Sequence, residues 1–397
     1  MDRIPFYKAE LGEAEIAEVV DTLRGGWLTT GARTREFERL FSERLGHRHS
    51  VALNSCTAAL HLALEAIGLK PGEGVLVPTM TFAATAEVVR YFNAIPVLVD
   101  CRESDFNIDV ADAERRLRKA QARGVKVAAI IPVHYGGQIG DMAGVNRLAA
   151  EHGLKVIADA AHCCPAFTRA NAEAPWEPVG RSADITCYSF YANKCITTGE
   201  GGMACTENEE YADRIRHLSL HGISRDAWRR YTAEGSWYYE ITAPGYKYNL
   251  TDIAAAIGIH QLARMDELHR RRAGIASLYH EKLRDLDEVI LPVAHPDRIH
   301  SWHLYVIRLR PDRLGIGRNE VIDELKRAGI STSVHYMPLH MHPYYRETFG
   351  YAPEDLPCMA RVYSEIISLP LYPGLAEPQV EHVCRTLREI IAANRRR

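Results

Sequence analysis

The chain reads as an α/β protein: a mostly parallel sheet of seven strands in a large domain, followed by a smaller α+β domain. Three observations lead there. Between residues 50 and 205, seven apolar, β-branched-rich runs are separated by helical stretches. Those runs are apolar throughout rather than alternating, as expected of strands covered by helices on both faces. At 397 residues the chain is also too long for one small core, which points to two domains.

Taken in order, the first ten or so residues read as an extended arm. Gly12 to Arg24 has helical spacing and stops at Gly25-Gly26. The candidate strands are Ser50–Leu53, Gly74–Val77, Ile95–Val99, Val127–Ile131, Lys155–Ala158, Asp184–Ser189 and Gly202–Cys205. Gly222 to Lys247 then carries Trp228, Tyr231, Trp237, Tyr238 and Tyr239 without a helical period. A loop that long in a compact domain is functional, forms an interface, or is a surface hairpin packed on its parent domain. A long helical pattern runs from Asp252 to Leu286, and Trp302–Leu309 alternates like a half-buried strand. A helix over Asn319–Ala328, strands over Ile330–His335 and Ile366–Leu371, and a helix over Glu377–Ala393 follow. The expected division is an arm over residues 1–12, a large domain over 13–262 and a small domain over 263–397.

Composition narrows the function. With 47% hydrophobic and 25% charged residues, the chain is ordinary globular protein. A formal charge of −3 makes no electrostatic case for nucleic acid or membrane binding. The clusters Arg229-Arg230, Arg270 to Arg272 and Arg395 to Arg397 read as solvated helix faces and a tail. No apolar stretch approaches the roughly 18–20 residues of a bilayer span, and Met1 to Tyr7 lacks a signal-peptide core. The nine cysteines include no C-x-x-C pair, and the adjacent Cys163 and Cys164 would strain a mutual disulfide. A reducing cytoplasm is expected.

The chemistry centres on Lys194. Lysine is scarce here, nine residues against thirty-nine arginines, and most lysines neighbour charged or turn residues. Lys194 instead follows the run Ile185–Ala192 and precedes the glycine-rich turn Thr198-Gly-Glu-Gly-Gly202. A lysine in such a place is costly unless deprotonated, paired or used covalently, as in a Schiff base to an aldehyde cofactor. Three further segments fall after strand ends, where α/β sheets place ligands. Asn54-Ser-Cys-Thr opens a helix over Thr57–Ile67 and suits a phosphate, although an unliganded helix cap reads the same way. Asp159, three residues before His162, suits a protonated ring nitrogen, or a cap or salt bridge. Phe82 suits a ring-stacking face, or a place in the core. Ser189 lies five residues before the lysine and suits the same phosphate. Jointly the segments meet the needs of pyridoxal phosphate. No third ligand accompanies Asp159 and His162, and neither they nor the histidines 335, 340 and 342 are expected to bind metal.

With these segments in hand, the chain resembles the DegT/StrS-type sugar aminotransferases, fold-type I pyridoxal-phosphate enzymes. The resemblance spans nearly the whole chain. Its most specific segments are Ser189-Phe-Tyr-Ala-Asn-Lys194 and Gly245-Tyr-Lys-Tyr-Asn-Leu-Thr-Asp252. The latter, with Ser301-Trp-His303, is most similar to enzymes that aminate UDP-linked 4-keto sugars. The resemblance implies a Schiff base at Lys194, which later shuttles a proton. It implies Asp159 on the pyridine nitrogen, His162 on the ring hydroxyl, Phe82 on the ring face, and Cys56, Thr57 and Ser189 on the phosphate. Position 56 is Cys where many relatives carry Gly or Ser; a backbone N–H contact would not notice. Asn249 is expected to reach across a homodimer interface to the neighbour's phosphate, unless it merely caps the helix that follows. Tyr7, Trp27, Thr30, His335 and Tyr336 are expected to line the sugar site. The implied reaction moves an amino group from glutamate to a nucleotide-linked keto sugar, foremost C-4 of a UDP-4-keto-6-deoxy sugar, for surface or secreted glycans. Alternatives are C-3 amination, a dTDP or GDP carrier, or a keto-cyclitol. A branch that dehydrates sugars has histidine in place of the lysine, so Lys194 argues against it.

Overall fold

The computed structural model describes residues 3–223 and 238–396. Trp228, Tyr231 and Trp237 of the aromatic segment, with Arg229, Arg230 and Arg397, lie outside the described residues.

All seven expected strands of the large sheet form. They are β1 (His49–Leu53), β2 (Gly74–Pro78), β3 (Ile95–Val99), β4 (Val127–Ile130), β5 (Lys155–Asp159), β8 (Ile185–Ser189) and β9 (Gly202–Thr206); the two-residue strands β6 (Phe167–Thr168) and β7 (Glu177–Pro178) lie outside this sheet. The order is β1-β9-β8-β5-β4-β2-β3. Pairing is parallel between β3, β2, β4, β5 and β8, whereas β9 runs antiparallel to both its neighbours. The unbroken apolar runs have the predicted cause. In β2, Val75 and Val77 pack on one face with Leu60, Leu64 and Val88, while Leu76 packs on the other with Leu117 and Leu148. Helices therefore cover both faces, and every residue of β2, β8 and β9 is buried.

The C-terminal part has its own antiparallel sheet of β10 (Val289–Ile290), β12 (Tyr305–Leu309) and β13 (Ile366–Leu369). Strand β11 (Arg298–Ile299) instead pairs with β6, which pairs with β7. The helices Met265–Leu283 and Glu377–Ala393 pack on the C-terminal core, and Ile4 of the N-terminal arm is buried in it. None of the described helices is long and apolar enough to cross a membrane. All nine cysteines are free.

Three local expectations need correcting. The helical pattern from Asp252 to Leu286 is two helices, Asp252–Ala263 and Met265–Leu283, broken at Arg264 (φ −94°, ψ 3°). The first buries Ala255 and Leu262 against Phe37 and Phe41, whereas the second buries Ile275, Tyr279 and Leu283 in the C-terminal core. One straight rod does not serve both. Ile330–His335 is no strand: it makes only single bridges, Ile330 to Ile4 and Ser333 to Ser368. Its apolar start is spent on closing the preceding helix, where Ile330 N donates to Leu325 O at 2.9 Å. Strand β12 starts at Tyr305, three residues late, because Trp302 has φ +50°. It is buried throughout rather than alternating, because Tyr305, Ile307 and Leu309 pack into one core and Val306 into another.

Candidate active site

Four strand ends deliver the candidate residues to one place. After β1, Ser55 caps the helix Cys56–Ala66, its Oγ accepting from Ala58 N at 3.0 Å. Cys56 and Thr57 thus occupy the first turn, where backbone N–H groups lack helical partners. Gly202 backs this turn at close range; a Cβ there would sit 2.4 Å from the Ser55 carbonyl carbon.

After β2 comes Phe82, 62% exposed, which places it in no core. At the end of β5, the buried Asp159 accepts from Ala161 N at 3.1 Å and from Thr85 Oγ1 at 2.8 Å. Burial pushes its pKa above the usual carboxylate range, against the pull of those two donors and of Lys194. His162 Nδ1 accepts from Gly136 N at 3.1 Å. Its proton is therefore on Nε2, 3.1 Å from Tyr336 Oη. Burial first, with Lys194 and His335 nearby adding to it, holds His162 neutral, its pKa well below the usual.

The loop after β8 carries Lys194. It is tied by Phe190 N to Gly201 O and Thr198 N to Phe190 O, both 2.9 Å, and Lys194 N donates to Tyr191 O at 2.9 Å. Among the described residues Lys194 Nζ makes no ion pair, and Asp159 acts on it only through space. Burial lowers its pKa, opposed by Cys56, Asp159 and Cys195. A neutral amine is thereby brought nearer to physiological pH, as a nucleophile requires.

Cys56, Thr57, Phe82, Asp159 and His162 share one cavity of about 480 Å³ with Ser189, Lys194, His335 and Tyr336. Tyr7 lines a smaller pocket that shares Asn193 and Lys194 with it. Trp27, Thr30 and Asn249 are not brought there. Trp27 Nε1 donates to Thr30 O at 3.0 Å, Asn249 Nδ2 donates to Thr30 Oγ1 at 2.8 Å, and Lys247 Nζ donates to Asn249 Oδ1. Thr30 and Asn249 line a separate cavity of about 500 Å³ that also holds Arg35, Arg48 and Arg216. Asn249 does not cap the next helix; Thr251 does, accepting from Ala254 N at 3.2 Å.

The sequence reading missed several residues of the cavity wall: Thr81, Thr85, Tyr191, Asn193 and Glu200. Asn193 and Glu200 lie inside segments already quoted around Lys194, so their place was available. Thr85 had no signal beyond closeness to Phe82. His303, its ring centroid 4.5 Å from that of His162, has no sequence signal beyond the Ser301-Trp-His303 segment.

Known proteins resemble this chain over nearly its whole length. Residues 9–388 match the model of the DegT/DnrJ/EryC1/StrS aminotransferase family. The spore coat polysaccharide biosynthesis protein SpsC of Bacillus subtilis is 42% identical over 389 residues, 98% of this chain and 97% of that one. The structure of Spr1654 from Streptococcus pneumoniae in its PMP form superposes with a TM-score of 0.90 at 33% identity, covering 98% of this chain and 99% of that chain. Sugar aminotransferase CalS13 from Micromonospora echinospora has a TM-score of 0.83 at 28% identity, covering 97% and 99%. The fold is the fold-type I architecture that the resemblance implied. With its seven-stranded sheet and its lysine after β8, the chain belongs to the DegT/DnrJ/EryC1/StrS aminotransferase family.

Proposed function

We propose that the protein is a sugar aminotransferase that moves an amino group from glutamate to the keto carbon of a nucleotide-linked sugar, C-4 of a UDP-4-keto-6-deoxy sugar. The cofactor is pyridoxal phosphate. The observation that carries the reading is one cavity holding the amine of Lys194, which makes no ion pair among the described residues, the buried carboxylate of Asp159 and the open helix terminus at Cys56 and Thr57. The residues fit that cofactor. An amine without an ion pair suits an aldehyde, a buried carboxylate suits a protonated ring nitrogen, and unpaired N–H groups suit a phosphate.

When bound, pyridoxal phosphate supplies an aldehyde for amines and a ring that draws electrons from the amine-bearing carbon. This chain's residues do the rest. Lys194 would hold and pass on a proton at its Nζ. Asp159 keeps the ring nitrogen protonated, and His162 contacts the ring hydroxyl through the Nε2–H that Tyr336 now accepts. Phe82 covers the ring face. Cys56, Thr57 and Ser189 hold the phosphate. His335 and Tyr336 line the sugar site, with Tyr7 in the adjoining pocket.

The active unit in this reading is a cytoplasmic homodimer with shared sites, in which Asn249 reaches the partner's phosphate. Exposed Ile16, Val20 and Leu23 on the helix Glu13–Gly25 support a covered face. The chain divides into an arm over 1–12, a large domain over 13–262 and a small domain over 263–397. The likeness to SpsC, a polysaccharide biosynthesis protein, supports a role in surface or secreted glycans.

The test is direct. The purified protein should be yellow and lose that colour on adding glutamate. A panel of keto sugars on UDP, dTDP and GDP, with NMR of the products, should give a 4-amino-UDP sugar. A 3-amino product, or turnover restricted to dTDP or GDP sugars, overturns the assigned position or carrier. No amination of any keto sugar overturns the sugar reading.

A further inference from the structure

Asp159 is held from behind by two hydroxyls that the functional reading leaves unused. Thr85, in the first turn of the helix Ala84–Arg90, places Oγ1 2.8 Å from Asp159 Oδ2. Thr81 Oγ1 lies 2.7 Å from Thr85 Oγ1. Both threonines are buried. An ionised carboxylate only accepts, so the single hydroxyl proton of Thr85 goes to Asp159. That leaves Thr81 as donor in the second bond. Two O–H dipoles therefore run head to tail toward one carboxylate oxygen, and away from water each strengthens the next. The other oxygen accepts the backbone N–H of Ala161 at 3.1 Å.

We propose that Thr85, backed by Thr81, is a positioning residue that keeps Asp159 ionised and oriented, and through it keeps the cofactor's ring nitrogen protonated. The inference rests on pyridoxal phosphate binding as proposed above. Asp159 is faced by Lys194, Cys56, Cys163, Cys187 and Tyr336. Burial holds the three thiols and the phenol in their neutral forms, so none of them sets a negative charge against Asp159. Burial of Asp159 favours its protonated form, and the donors from Ala161 and Thr85 oppose that. A carboxylate that takes up a proton cannot accept one from the ring. The Thr85 hydroxyl therefore acts on where that proton sits, which a merely packing threonine would not.

The experiment compares wild type, Thr85→Val, Thr85→Ser and Thr81→Val, each reconstituted with ring-¹⁵N pyridoxal phosphate. The ¹⁵N shift at neutral pH reports ring protonation, and dialysis across acid pH reports cofactor affinity. Wild type and T85S are expected to show a protonated ring. T85V should move toward the neutral value, bind cofactor about tenfold more weakly, and lose affinity on the acid side about one pH unit earlier. T81V should shift the same way by less. A wild-type ¹⁵N shift in T85V, or T85S behaving like T85V, overturns the relay. Should T85V fail to fold, an unshifted T81V does the same. Wild-type protein that takes up no pyridoxal phosphate overturns the functional reading, and the relay with it.

Discussion

Gly202 opens β9, and a methyl group there has no room. An ideal Cβ would lie 2.4 Å from the Ser55 carbonyl carbon and 2.5 Å from both Cys56 N and Ser55 O. Carbon contacts are comfortable at about 3.5 Å, so something must give by about 1 Å. Neither side is free to do so. Gly202 is paired with Leu53 of β1 and Ser189 of β8. Ser55 is held as helix cap by its 3.0 Å bond from Ala58. Overpacking of this kind costs about 1–3 kcal/mol. The displaced atoms are also the candidate phosphate cradle, and a misplacement of about 1 Å in a site can cost on the order of 10²-fold. Gly202→Ala should therefore lower unfolding free energy by about 1–3 kcal/mol in a urea titration. It should weaken pyridoxal phosphate binding at least about tenfold in an absorbance titration. Unchanged cofactor affinity would refute the phosphate site at Cys56 and Thr57. Unchanged stability would refute the rigidity claimed for the turn.

Three further outcomes are expected. Lys194→Ala should lose turnover by more than about 10³-fold while its circular dichroism and urea midpoint stay near wild type; full activity would end the mechanism. Asn249→Ala should lose cofactor several-fold faster on dialysis of the dimer, and equal retention by a monomer would count against a shared site. Acid should destabilise the fold early. His47, His61, His335 and His340 have pKa values lowered to about 4, and His134 and His300 to about 3, burial being the first cause in each. Their folded values lie below the unfolded value of about 6.5, so their contribution is complete above that pH and is lost as pH falls through it. Each uncharged histidine adds a slope of about 1.4 kcal/mol per pH unit between the two values. Urea midpoints should therefore drop steeply from pH 6.5 toward 4, and flat midpoints there would contradict the neutral buried histidines.

Much of the framework was legible because burial writes itself into composition. Strands β2, β8 and β9 are buried on both faces, and their runs are apolar without alternation. The helix Glu377–Ala393 has the expected bounds because one stripe, including Val380, Val383, Leu387 and Ile391, faces a single core. Lys194 was legible because a scarce residue stood in apolar company. The break at Arg264 was not, since both flanking helices keep a helical period and only the two cores they serve differ. Ile330–His335 misled for the same kind of reason: its apolar residues pack, but no continuous neighbour offers a ladder. Thr85 was invisible because a threonine two residues inside a helix has no pattern that marks its partner, and that partner lies 74 residues away.

The sequence alone determined the sheet-bearing architecture and the chemically unusual groups, because periodicity and scarcity are properties of the chain itself. Only the tertiary structure decided which of those groups share a cavity. It gathered Lys194, Asp159 and Cys56, and left Asn249 and Thr30 beside a different one. The physical reason is that distance between side chains is set by strand order. Strands β8, β5 and β1 are far apart in sequence, and β9 brings β1 to β8 only by pairing with both.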